Sequence, residues 1–180
     1  METISIARVR RHLHHWIETF LSVPHPNFGG LPPCPFSRKA WSENRVAIRD
    51  SAPIAPFNCD NLENTAIVAA ERWGDDLDVF ILVAPTDVAD PQHLDRRIRD
   101  LNQILATFDL VALADCPRNP ATTLSHTDTS NGRYTLVLIQ KLSHLQTASD
   151  RLRETDYYKN WSEADFENIV NWRSHLVRRV

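Results

Sequence analysis

The first stretch of the chain carries its apolar residues on a helical stripe. Ile6, Val9, Leu13, Trp16 and Phe20, with Ile17 beside them, recur every three or four positions. That spacing predicts a helix over residues 4–22, ended by Pro24. Further on the pattern changes. Asp78–Ala84 reads Asp-Val-Phe-Ile-Leu-Val-Ala, a continuous apolar run that suits a strand covered on both faces. Before it, Arg45–Arg49 predicts a short strand. Asp60 and Glu63 frame a capping-box start for a helix reaching Trp73, with Leu62, Ala66, Ala69, Ala70 and Trp73 facing inward and Gly74 as its stop. After it, Asp90-Pro91 opens a helix with an acceptor cap and proline at the first position, and Leu94, Ile98, Leu101, Leu105 and Phe108 form its buried stripe. Leu110–Ala114 is a third strand.

Residues 115–133 are polar and contain the turn signal Asn131-Gly132, and Tyr134–Leu142 is a fourth strand. No helical pattern separates strands three and four, so an antiparallel return is expected. Ser143 is expected to cap a helix bearing Leu145, Ala148 and Leu152. Ser162 with Asp165 caps a last one bearing Phe166, Ile169, Val170, Trp172 and Leu176. Strand–helix–strand units imply a partly parallel sheet. The expected fold class is α/β, with α+β as the alternative: a mixed four-stranded sheet covered by helices, in a single domain spanning residues 1–180.

Two regions depart from regular patterning. Residues 143–180 read as a helical C-terminal extension. Residues 23–44 read as an irregular proline-rich loop holding five of the eleven prolines and two of the four glycines, a composition that opposes helix and central strand. The loop also carries Phe28, Leu31, Phe36 and Trp41, so it is expected to pack down, and long apolar loops in compact domains are often functional.

Composition narrows the class. A chain of 180 residues with 20 basic and 23 acidic side chains, formal charge −3, has no global reason to bind nucleic acid. No apolar run is long enough to span a membrane, and the start of the chain lacks a signal-peptide core. The three cysteines, Cys34, Cys59 and Cys116, are odd in number and show no C-x-x-C spacing, which points to free thiols in a reducing, cytoplasmic setting. No P-loop, no G-x-G-x-x-G and no G-x-S-x-G elbow occurs.

Two of the three cysteines precede proline: Cys34-Pro35 and Cys116-Pro117. The segment from His25-Pro26 through Gly29-Gly30 to Cys34-Pro35-Phe36 resembles an uncharacterised bacterial family that carries a His-Pro, a glycine and Cys-Pro-Phe after an N-terminal helix. It is also similar to a second group of domains of unknown function, with a Trp-containing first helix, then Cys-Pro-Phe, then an alternating α/β body. Trp16 and Cys34-Pro35-Phe36 match that order. Where that group has Phe-His-Pro-Asp-Tyr after a late strand, this chain has Asp115-Cys116-Pro117-Arg118-Asn119. The resemblance implies an α/β body and no settled activity.

The residues offer two site readings, each beside a plainer one. Cysteine followed by proline can ligate haem iron as thiolate, so Cys34 is a candidate metal ligand, with His25, Phe28 and Phe36 as candidate cofactor-binding neighbours and haem or iron as the candidate cofactor. The plainer reading is a small buried hydrophobe in a packed loop. At the carboxyl ends of the strands, where open α/β sheets bind ligands, Asp87, Asp115, Cys116 and Arg118 are candidate catalytic residues: aspartate as base, arginine as anion clamp. The plainer reading is strand termination and turn formation. His12 and His15, and His14 with Glu18, share helix faces without an H-E-x-x-H pattern, and read as surface histidines. The expected function is a small-molecule-binding enzyme, with metal- or haem-dependent redox chemistry at the Cys-Pro loop. A non-catalytic accessory or protein-interaction domain is the alternative, and homo-oligomerisation stays open.

Overall fold

The computed structural model describes residues 5–50, 59–71, 73–85, 90–118 and 123–177. Its sheet has four strands: β1 (Val46–Asp50), β2 (Val79–Pro85), β3 (Leu110–Asp115) and, after a small hairpin of β4 (Thr123–Leu124) and β5 (Thr127–Asp128), β6 (Tyr134–Lys141). The order across the sheet is β1-β2-β6-β3. β1 and β2 run parallel, and β6 lies antiparallel between β2 and β3. The chain is therefore α/β with a mixed four-stranded sheet, and the fourth strand returns antiparallel. The carboxyl ends of β1, β2 and β3 share one edge with the start of β6, where Pro85 pairs with Tyr134 and Asp115 with Leu136.

β2 is apolar at every position, and β6 from Leu136 to Ile139, because both faces are covered there. Phe80 and Leu82 of β2, with Val137 and Ile139 of β6, pack under α3 (Cys59–Glu71) and α4 (Pro91–Leu105) through Leu62, Ala66, Leu94, Ile98, Leu101 and Leu105. Ile81, Val83 and Leu136 face the other way, onto Val9 and Leu13 of α1 (Ile6–Trp16) and Ala40 of α2 (Ser37–Ser42). Val111 of β3 packs with Leu142 of α5 (Leu142–Arg153) and Leu176 of α7 (Trp172–Val177). Between α5 and α7 lies the short α6 (Glu163–Phe166), joined to α7 by a π-helical turn, Glu167–Asn171; a second π-helical turn, Ile17–Leu21, extends α1.

β3 is an edge strand, and α4 closes its centre. The Asn102 side-chain amide donates to the Ala112 carbonyl at 2.9 Å, and its oxygen accepts from the Ala112 N–H at 2.6 Å. The fully buried Asn102 thus stands in for a missing neighbour strand.

Several local expectations are corrected. Residues 37–42 form α2, because the prolines stop at Pro35 and nothing in Ser-Arg-Lys-Ala-Trp-Ser breaks a helix. α3 starts at Cys59, so Asp60 lies within its first turn, and Gly74 does not adopt the left-handed stop conformation. Ser143 does not cap α5. The helix follows β6 directly, and Asp109, left-handed at φ 56°, accepts from the Ser143 N–H at 2.9 Å and from its hydroxyl at 2.6 Å. A carboxylate distant in sequence serves α5 where a local cap was expected. The caps at Asp90 and Ser162 form as expected.

Candidate functional site

Asp115 ends β3 at the carboxyl edge. One of its carboxylate oxygens accepts two bonds from Asn131: the backbone N–H at 3.0 Å and the side-chain amide at 2.6 Å. The same Asn131 amide reaches the Tyr134 carbonyl at 2.7 Å, and its oxygen accepts from the Arg133 and Tyr134 N–H groups. Asn131 thereby fixes the turn into β6 and the carboxylate at once. Its own carbonyl accepts from His12 Nε2 of α1 at 2.9 Å, and the His12 ring meets Tyr134 edge-on with centroids 5.4 Å apart. Burial pushes the Asp115 carboxyl up; the two Asn131 bonds pull it part of the way back. A carboxyl held in place with a raised proton affinity is suited to proton transfer.

The other candidates at this edge lie differently. Cys116 follows Asp115 but is buried beneath α3 and α4, its sulfur accepting from the Thr135 hydroxyl at 3.7 Å. Arg118 is exposed. Asp87 falls outside the described residues.

The proline-rich loop is locked by the far end of the chain. Its first turn, Pro26–Phe28, is capped by His25 Nδ1, which accepts from the Asn27 N–H at 3.2 Å. Phe28 is fully buried against the rings of His25, Tyr157 and Trp161. The Tyr157 hydroxyl donates to the Pro33 carbonyl at 2.5 Å, and Asn160 donates to the Pro26 carbonyl at 3.1 Å. Ser125, at the left-handed turn of the β4–β5 hairpin, donates its hydroxyl to the carbonyls of Asn27 (3.0 Å) and Asn160 (3.1 Å). Asn27 returns a bond to the Thr127 hydroxyl at 2.9 Å. Gly29 fits because it lacks a side chain: φ is +64°, and a Cβ would fall 2.3 Å from the Asp156 carbonyl oxygen.

Cys34 anchors the outer end of this loop. Its N–H donates to the Leu21 carbonyl at 2.9 Å, at the end of the turn extending α1. Desolvation raises the thiol's pKa, against smaller opposing contributions from the Phe36 and Ser37 backbone and the Ser37 hydroxyl. It is thus a poor thiolate. Cys34 is tied to the end of the turn extending α1, whereas Cys116 packs in the layer beneath α3 and α4. The haem expectation meets the same geometry. Of its four residues, Phe28 is fully buried among aromatic rings and Phe36 is exposed. Among the described residues no group of three or more His, Cys, Asp or Glu side chains is placed to hold a metal.

The residues that organise both regions are Asn131, His12, Ser125, Tyr157 and Asn160. The Asn131-Gly132 signal marked one of them as a turn. Nothing in the spacing linked it to Asp115, sixteen residues earlier. No family model, curated protein or solved structure matches the chain.

Proposed function

We propose that this chain binds a small molecule at the carboxyl edge of its sheet and that Asp115 is the acid–base group there. The observation that carries this reading is the Asp115 carboxyl itself: one oxygen fixed by two Asn131 donors, its proton affinity raised by burial, at the strand edge where α/β sheets take ligands. Asn131 and His12 are positioning residues in this account. Cys34 serves packing. Among the described residues Cys34 and Cys116 are free thiols, and a reducing, cytoplasmic setting is proposed on the odd cysteine count. Kinship with the Cys-Pro-Phe family is proposed on the segment from His25 to Phe36, with Trp16 and the order of elements. Among the described residues no helix is long and apolar enough to cross a membrane.

The test is a fragment screen by amide NMR on the full chain, run on wild type and Asp115→Asn. Hits that shift the amides around Asp115, Asn131 and His12, and weaken about tenfold or more in the variant, support the site. Hits elsewhere, or equal in both proteins, sink it.

The alternative, an interaction domain, draws on one observation. Val23 and Phe36 are exposed apolar side chains on segments joined by the Cys34–Leu21 bond and by the Ser22–Ser37 hydroxyl contact at 3.4 Å. Concentration-dependent sedimentation, abolished by Phe36→Ser, would favour it.

A further inference from the structure

The C-terminal helices bury a charge without a matching one. Arg173 of α7 is only 2% exposed. Its Nη2 donates to the hydroxyl of Ser149, a buried residue of α5, at 2.9 Å. Among the described residues, Nε and Nη1 are buried with no hydrogen-bond partner. Burial pushes the guanidinium down to about 10, which still leaves it charged at neutral pH. An ion in this state is among the costliest things a fold can hold, because attraction to a partner is what normally offsets its lost hydration.

Among the described residues, the surrounding charges do not supply that partner. Tyr158, Arg153 and Asp150 are the groups that bear on Arg173. Tyr158 offers a phenol, not a carboxylate. Asp150 is exposed and already engaged: it faces Arg153 Nε at 3.6 Å and accepts from the Gln146 amide at 3.2 Å. Two guanidinium groups thus share one carboxylate. Water can accept from Nε and Nη1, but it brings no negative charge.

One turn before Ser149 on the same helix, the side-chain oxygen of Gln146 is also buried without a partner among the described residues. Arg173 on α7 thus has unmet donors, and α5, which carries its Ser149 partner, has an unmet acceptor in Gln146. Ser149 already accepts from Arg173 and can donate its own hydrogen. A ligand that satisfies this set needs anionic oxygens for Arg173 and Ser149 and an O–H for Gln146. Hydrogen phosphate has both, and so does the monoprotonated form of a phosphate monoester. We propose that Arg173 anchors a buried phosphate-binding site between α5 and α7, with Ser149 as a hydroxyl donor and Gln146 as an acceptor. The site is separate from Asp115 and stands or falls independently of it.

The experiment is a titration of the full-length chain, labelled with nitrogen-15, following the side-chain Nε–H resonance of Arg173. The probes are inorganic phosphate and glycerol phosphate, against chloride at matched ionic strength. A saturable shift with phosphate and none with chloride is expected. A response to inorganic phosphate alone identifies the free ion as the ligand, and a tighter response to the monoester identifies a phosphorylated metabolite. Arg173→Met should lose the phosphate-dependent rise in Tm and, without phosphate, melt no lower than wild type, because it removes an unbalanced buried charge. A wild-type resonance that answers phosphate no more than chloride overturns the proposal and leaves ordered water as the partner. That wild-type titration decides the matter even if Arg173→Met fails to fold.

Discussion

Two aspartates show how single side chains set opposite pH dependences. Burial raises the Asp115 carboxyl, so the native state holds that proton more tightly than the unfolded chain does. Its favourable contribution is complete below the unfolded value of about 3.9 and is lost as pH rises through the folded value. Asp78 behaves the other way. Arg45 grips both its oxygens at 2.8 Å and lowers its proton affinity. Its contribution is present above about 3.9 and is lost as pH falls through the depressed folded value. Urea denaturation from pH 3 to pH 7 reads both. The stability of Asp115→Asn should gain on wild type as pH rises, while the deficit of Asp78→Asn should widen. Parallel curves for all three proteins would contradict the assignment.

Among the elements, the proline-rich loop turns on two adjacent glycines with unequal burdens. Gly29 and Gly30 both have positive φ, but only Gly29 lies against another backbone, that of Asp156; a Cβ on Gly30 would meet nothing. Gly30→Ala should cost about 1 kcal/mol, the ordinary penalty for a left-handed residue. Gly29→Ala adds displacement of the Asp156 segment, and about 2–4 kcal/mol in total is expected from combining the two effects. Equal losses on thermal or chemical denaturation would contradict the close approach. The sequence made this loop conspicuous, through prolines and apolar residues, but hid what it binds. Its partners, Ser125, Tyr157 and Asn160, lie 98 to 134 residues away from their contacts in the loop. Regular elements were legible because periodicity is local: the stripe of α4 and the run of β2 announce themselves. Asn102 on the edge of β3, Asp109 on the start of α5 and Asn131 on Asp115 were not. Each is a polar residue whose role depends on what the fold brings beside it.

Across the whole molecule, protection should follow the sheet. β2 and β6 are the inner strands, apolar on both faces and paired along both edges. Amide hydrogen exchange should be slowest from Phe80 to Val83 and from Leu136 to Ile139, approaching the global unfolding free energy there. The short β4–β5 hairpin should exchange faster. Slowest exchange in the C-terminal helices instead would place the most persistent structure around α5 and α7, away from the sheet.

The lock between the loop and residues 156–161 also has a consequence in time. During synthesis on the ribosome, Phe28 is made well before Tyr157 and Trp161, the aromatic rings that cover it. At ordinary translation rates the interval is on the order of ten seconds. Through that window the nascent chain carries an uncovered aromatic loop beside a helix already able to form. A holding chaperone would find its client there, and the need for it should end when the Tyr157–Trp161 segment arrives.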